Sequence, residues 1–145
     1  DRLVRHGNRV PEGVKLGYHL CCGDFGHRHV IEPEDTGLMV GLTNKLSQRL
    51  GRSMQWMHMP VPIGRTDDAY YAPLKNLRMR PETRLYLGLV HHSDGAAGAR
   101  KRIDAAEKYV QEFGIATECG LGRRDPTTLP ALLRIHAEVA DTVAA

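Results

Sequence analysis

Gly17–His29, GYHLCCGDFGHRH, gathers two adjacent cysteines and three of the chain's eight histidines into thirteen residues. Neutral imidazole and thiolate are the usual ligands of zinc. The run from Val14 to Cys21 reads as a strand, and strand side chains alternate faces. Gly17, His19 and Cys21 then share one face, and Leu16, Tyr18, Leu20 and Cys22 share the other. The oily second face is expected to pack against helices. The first presents an imidazole and a thiol together at the strand's C-terminal end. The third cysteine, Cys119, closes Ile115–Gly120, IATECG, where Ile115, Thr117 and Cys119 fall on one face. Two further apolar runs, Met54–Pro60 (MQWMHMP) and Arg84–His92 (RLYLGLVHH), carry His58 and His92.

The elements that must position these groups follow from periodicity. In Met54–Pro60, Met57 and Met59 share one face while Trp56 and His58 share the other. In Arg84–His92, Leu85, Leu87 and Leu89 oppose Tyr86, Gly88, Val90 and His92. Pro33-Glu34-Asp35-Thr36 gives a helix start, with Asp35 or Thr36 as cap. Leu38, Leu42, Leu46 and Leu50 then recur at helical spacing up to Gly51. Thr66 or Asp67 can cap a short helix through about Leu77. Ser93-Asp94-Gly95 breaks the third run. A long helix follows to Phe113, with Ile103, Ala106, Val110 and Phe113 on one stripe. Thr127 or Thr128 caps a last helix, whose buried stripe is Leu129, Leu132, Leu133, His136 and Val139.

The order is strand then helix, four times over, which predicts an α/β fold with a parallel sheet and helical crossovers. Functional groups in such folds gather at the C-terminal strand ends. Here those ends carry His19 and Cys21, His58, His92 and Cys119. Asp1–Pro11 is polar and without periodicity, so residues 1–13 read as a leader or linker before a single domain.

At 145 residues the chain is long enough for one modest core. No apolar run approaches the roughly 20 residues that cross a bilayer, so no membrane partner is expected. No signal-peptide pattern opens the chain, and a cytoplasmic protein is the expectation. The net charge is +3 and aromatics make up 6%, which argues against a nucleic-acid surface. Arg100-Lys101-Arg102 reads as a solvated helix face. Three cysteines in such a chain fit metal binding or catalysis better than a disulfide framework.

Several of these residues also have a plain structural reading. Cys22 reads as a small buried hydrophobe, His136 as a core histidine and His6 as an exposed one. His27 and His29 are either rim residues of a site or merely solvated. His58 and His91 read as structural or supporting groups. From spacing alone, His19, Cys21 and Cys119 are a candidate metal set and no more.

The sequence resembles the cobalamin-independent methionine synthase family. The resemblance rests on His19-Leu20-Cys21 at one strand end, His92-Ser93 after the third strand, and Cys119-Gly120-Leu121 at the last strand end. It extends from about Val14 to Val139. It implies four βα units corresponding to the second, C-terminal half of a TIM (β/α)8 barrel. It implies zinc-dependent methyl or alkyl transfer to a thiol, as in methionine biosynthesis. His19, Cys21 and Cys119 would be the zinc ligands and His92 a catalytic acid. A small-molecule thiol and a methyl donor, with a folate as one candidate, would be the partners. Arg123 and Arg124, just past Cys119, are candidate substrate-binding residues.

Two departures from the family pattern stand out. The family places a glutamate ligand on the strand corresponding to MQWMHMP, which has none. His58 is a candidate fourth ligand; otherwise water or substrate takes that position. Four βα units also make only half a barrel, so the expectation is a fragment of a longer barrel, or a homo-oligomer. The alternative functions are a zinc-dependent lyase or hydrolase on the same scaffold, or a non-catalytic zinc-binding domain.

Overall fold

A computed structural model describes residues 2–23 and 29–143. Its centre is one four-stranded parallel sheet in the order β1-β2-β3-β4, formed by Gly17–His19, Trp56–Pro60, Arg84–Val90 and Gly114–Thr117. The α/β expectation holds, and so does the parallel pairing of neighbouring strands. Helices α2 (Gly37–Arg49), α4 (Gly95–Glu107) and α5 (Leu129–Val143) follow β1, β3 and β4. The short α3 (Asp68–Tyr71) and a 3-10 turn, Ala72–Asn76, follow β2.

Strand parity divides the sheet as the alternation predicts. Met57, Met59, Leu85, Leu87 and Leu89 are almost wholly buried, in one cluster with Met39, Val40 and Leu46 of α2, Ala99 and Ile103 of α4, and Leu132 of α5. The opposite face carries Gly17, His19, Trp56, His58 and Tyr86, with Trp56 37% exposed. Two glycines on this face make room for aromatic rings on the adjacent strand. A Cβ at Gly17 would overlap the Trp56 indole, and one at Gly114 would come within 2.5 Å of the Tyr86 ring. Each glycine is the register partner of the residue whose ring covers it.

The elements are shorter than periodicity suggested. β1 covers three residues, although the Leu20 N–H still bonds the His58 carbonyl at 2.9 Å. Cys21 therefore lies past the ladder, just before Gly23, whose φ of 76° turns the chain. β3 stops at Val90, and α4 stops at Glu107 rather than Phe113. The β3–β4 register slips between Leu87 and Val90, where three steps on β3 match two on β4. An extra residue of this kind ends strict alternation.

Three packing expectations are corrected. Leu38 is 80% exposed and Leu133 is 58% exposed, because α2 and α5 bury narrower stripes than their leucine spacing allows. Arg102 is not on a solvated face but fully buried. Its Nε donates to the Leu89 carbonyl, one amino group to the Ile63 carbonyl at 2.7 Å, and both amino groups to the Asp94 carboxylate at 2.6 and 2.9 Å. Asp125, not Thr127 or Thr128, accepts the capping bond before α5, from the Thr127 N–H at 2.9 Å.

The polar segment read as a leader contains α1, Arg2–Gly7, and is docked on the domain. Arg52 donates to the carbonyls of Val10, Pro11 and Val14, and Asn8 accepts from the Gly51 N–H. No helix among the described residues is long and apolar enough to cross a membrane.

Candidate metal centre

β1 and β4 are the two edges of the sheet, yet the groups that follow them meet. The Cys21 and Cys119 sulfurs lie 3.2 Å apart, and His19 Nε2 lies 3.4 Å from Cys119 Sγ. All three donor atoms fall within 4.8 Å of one another. Donors of a tetrahedral zinc site with ordinary bond lengths stand about 3.6–3.8 Å apart, so the set is close to ligating geometry. His19, Cys21 and Cys119 can hold a metal ion. Cys22 is outside the set, and its thiol is pushed up chiefly by burial. All three cysteines are thiols.

Local structure explains the convergence. His19 is the last residue of β1, and the chain turns just beyond Cys21. At the other edge, Gly120 adopts φ 92°, a left-handed conformation that suits glycine and bends the chain directly after Cys119. Residue 118 fixes the approach. Glu118 accepts a charge-assisted bond from Arg124 and lies 3.0 Å from His91 Nδ1. The other nitrogen of His91, Nε2, lies 2.9 Å from the Val61 carbonyl. His91 is 2% exposed and so joins the ends of β2, β3 and β4 from within. Partial burial opposes the charge on Glu118, but the bonds to His91 and Arg124 hold its carboxyl below the ordinary range.

His58 does not join the ligand set. It is buried behind His19, with the two Nδ1 atoms 2.5 Å apart. Burial, and then the neighbouring His19, pull His58 down to about 4 despite an opposing contact from the Thr117 backbone. Burial lowers His19 as well. Both imidazoles are therefore neutral at neutral pH, as metal ligation requires of His19.

A concavity of about 450 Å³ opens beside the donors, lined by His19, Trp56, His58, Tyr86 and residues 116–121. His92 is not on it. The register slip and the end of β3 at Val90 leave His92 in a turn, on a second cavity of about 530 Å³. That cavity is walled by His29, Glu32, Ile63, His91, Ser93, Glu118 and Arg124, and Glu118 is common to both. His29 lies 3.5 Å from Glu32, and His27 lies outside the described residues. Arg124 is committed to Glu118, while Arg123 reaches to 4.0 Å from Cys119 Sγ.

Sequence reasoning weighed His91 as a supporting residue but missed its partners. From the sequence, Asp94 is only part of the break after the third strand and Glu118 only a neighbour of Cys119, neither with a role of its own. The signal for Glu118 was its place directly before Cys119 at a strand end. Searches of family models, curated proteins and solved structures return no match to this chain.

Proposed function

We propose that this chain is a zinc enzyme that transfers a methyl or alkyl group to a thiol, similar in chemistry to the cobalamin-independent methionine synthases, on half of a (β/α)8 barrel. The observation that carries this reading is the meeting of His19, Cys21 and Cys119 from opposite edges of the sheet. Four parallel strands in sequential order, packed on one face and open on the other, support the barrel half of the reading. Two thiolates and one histidine leave a fourth position for substrate, which is the pattern of catalytic rather than structural zinc.

When bound there, zinc would lower the pKa of a substrate thiol and keep it nucleophilic near neutral pH. The protein's own groups do the rest. His19, Cys21 and Cys119 would hold the ion, and His19 and Cys119 line the open concavity beside it. Trp56 and Tyr86 offer apolar walls to the substrate beside it. Arg123 brings a positive charge to 4.0 Å from Cys119 Sγ. His92, across the Glu118 wall, is the candidate acid for the leaving group as the new S–C bond forms.

Metal analysis coupled to spectroscopy tests the reading. The chain should take up one equivalent of zinc or cobalt, and Cys21→Ser should lose it while Cys22→Ser keeps it. A small alkyl thiol added to the cobalt form should change its sulfur-to-metal absorption, because the thiol enters the coordination sphere. Uptake of metal with no spectral response to any thiol would favour the lyase or hydrolase alternative. Equal loss in both cysteine variants would remove the ligand assignment.

A further inference from the structure

We infer that His58 is a positioning residue that fixes the tautomer of His19, leaving the Nε2 lone pair of His19 turned toward the thiols; this rests on the reading of His19 as a metal ligand. The two imidazoles are nearly parallel, at 8°, with centroids 4.6 Å apart and Nδ1 atoms 2.5 Å apart. Parallel rings stacked face to face at that centroid distance would hold their nitrogens farther apart. These values together require the rings to meet edge to edge, Nδ1 toward Nδ1. The contact is a hydrogen bond, and one proton serves both nitrogens.

Which ring owns that proton follows from the far side of each. His19 Nε2 faces Cys119 Sγ at 3.4 Å, within the donor set. His58 Nε2 is buried and has no hydrogen-bond partner among the described residues. The Thr117 backbone contacts the His58 ring, and its carbonyl oxygen and His58 Nε2 both border the space a Cβ at Gly88 would take, at 3.4 and 3.3 Å. A carbonyl can only accept. It therefore favours His58 with its proton on Nε2, which leaves the His58 Nδ1 lone pair to accept from His19 Nδ1–H. A neutral imidazole carries one proton, so His19 Nε2 is then bare and able to ligate. Metal-bound histidines ordinarily give their second N–H to a carboxylate, carbonyl or water. Here another imidazole takes that role.

The test has two readouts. In the metal-free chain, ¹⁵N shifts of the imidazole nitrogens should show His19 protonated on Nδ1 and His58 protonated on Nε2. A His19 protonated on Nε2 would overturn the inference whatever metal does. In cobalt titrations, His58→Phe should bind about 10–100-fold more weakly than wild type. His58→Asn, whose amide oxygen can accept in place of Nδ1, should recover much of that loss. Wild-type affinity in His58→Phe, or no recovery in His58→Asn with its thermal unfolding unchanged, would also overturn it. If the wild-type chain takes up no cobalt, the zinc reading itself fails and the inference falls with it.

Discussion

His91 and Glu118 meet at 3.0 Å across the ends of β3 and β4, one residue before the thiol of Cys119. This contact sets where the last strand releases its cysteine. His91→Ala should leave the Val61 carbonyl without its partner and Glu118 with Arg124 alone. A buried group so orphaned costs about 1–3 kcal/mol. Urea unfolding should show a loss in that range, and zinc affinity should fall although His91 touches no donor atom.

The Arg102–Asp94 pair makes stability depend on acid. Partial burial opposes the charge on Asp94, but the Arg102 bonds and charge, with a smaller contribution from His91, hold its carboxyl below the ordinary value. A depressed folded pKa means stability that is complete above the unfolded value, about 3.9, and is lost as pH falls through the folded one. Unfolding midpoints of wild type and Asp94→Asn should therefore differ by a constant amount from neutral pH down to about pH 5, and begin to converge only below about pH 4, as the folded carboxyl takes up its proton. Removing one partner of a buried pair costs about 3–5 kcal/mol. Asp94 is 32% exposed, so the low end is expected. A gap that stays undiminished as pH falls well below the unfolded carboxylate pKa and through the depressed folded one would show that Asp94 acts through shape rather than charge.

His92→Gln should leave metal stoichiometry unchanged, since His92 faces the second cavity and not the donor set. If His92 supplies the proton, the chemical step should slow by roughly 10²–10⁴-fold. Single-turnover kinetics against a matched thiol and alkyl donor would read this. An unchanged rate would return His92 to a structural role.

Cys21 and Cys119 should be the thiols that oxidise together, given their 3.2 Å separation. Hydrogen peroxide should convert the pair to a disulfide, with the peroxide reduced to water, and bound zinc should slow the reaction by occupying both sulfurs. Thiol titration and peptide mapping would identify the bridge. A bridge to Cys22 instead would contradict the placement of these side chains.

Trp56 is the chain's single tryptophan and lies over Gly17 on the open face. Its fluorescence thus reports on the concavity that His19 lines. Gly17→Ala should displace the ring and shift its emission. Gly13→Ala, where a Cβ meets nothing within 4 Å, should not. Equal spectra for both variants would mean the ring does not rest on Gly17.

Much of the layout was legible because period-two alternation survives in the strand centres. Met57 and Met59 against His58, and the three leucines of β3 against Tyr86, fell on the faces that parity assigned. The grouping of His19 with Cys21 and Cys119, and the exclusion of Cys22, followed the same logic. Parity failed where the backbone stopped alternating. Nothing in RLYLGLVHH announces the register slip, so His92 could not be tracked past Val90. Burial of Arg102 was hidden for another reason. Its partners are two carbonyls and Asp94, brought together by the turn before α4 and by the Ile63 loop, and charge patterning along a helix does not register carbonyls. Leu38 kept helical spacing but met no opposing surface.

The donors come from opposite edges of the sheet, with nearly a hundred residues between Cys21 and Cys119. Closing so long a loop is among the slowest demands on a folding chain. The metal site has no local precursor: it cannot form in a fragment that lacks β1 or β4. The ion would then act on the finished protein, slowing its unfolding more than it speeds its folding. In a refolding experiment, cobalt–thiolate absorption should appear last, after the far-ultraviolet signal of the helices, and its amplitude should count only molecules in which the first and last strands have both docked.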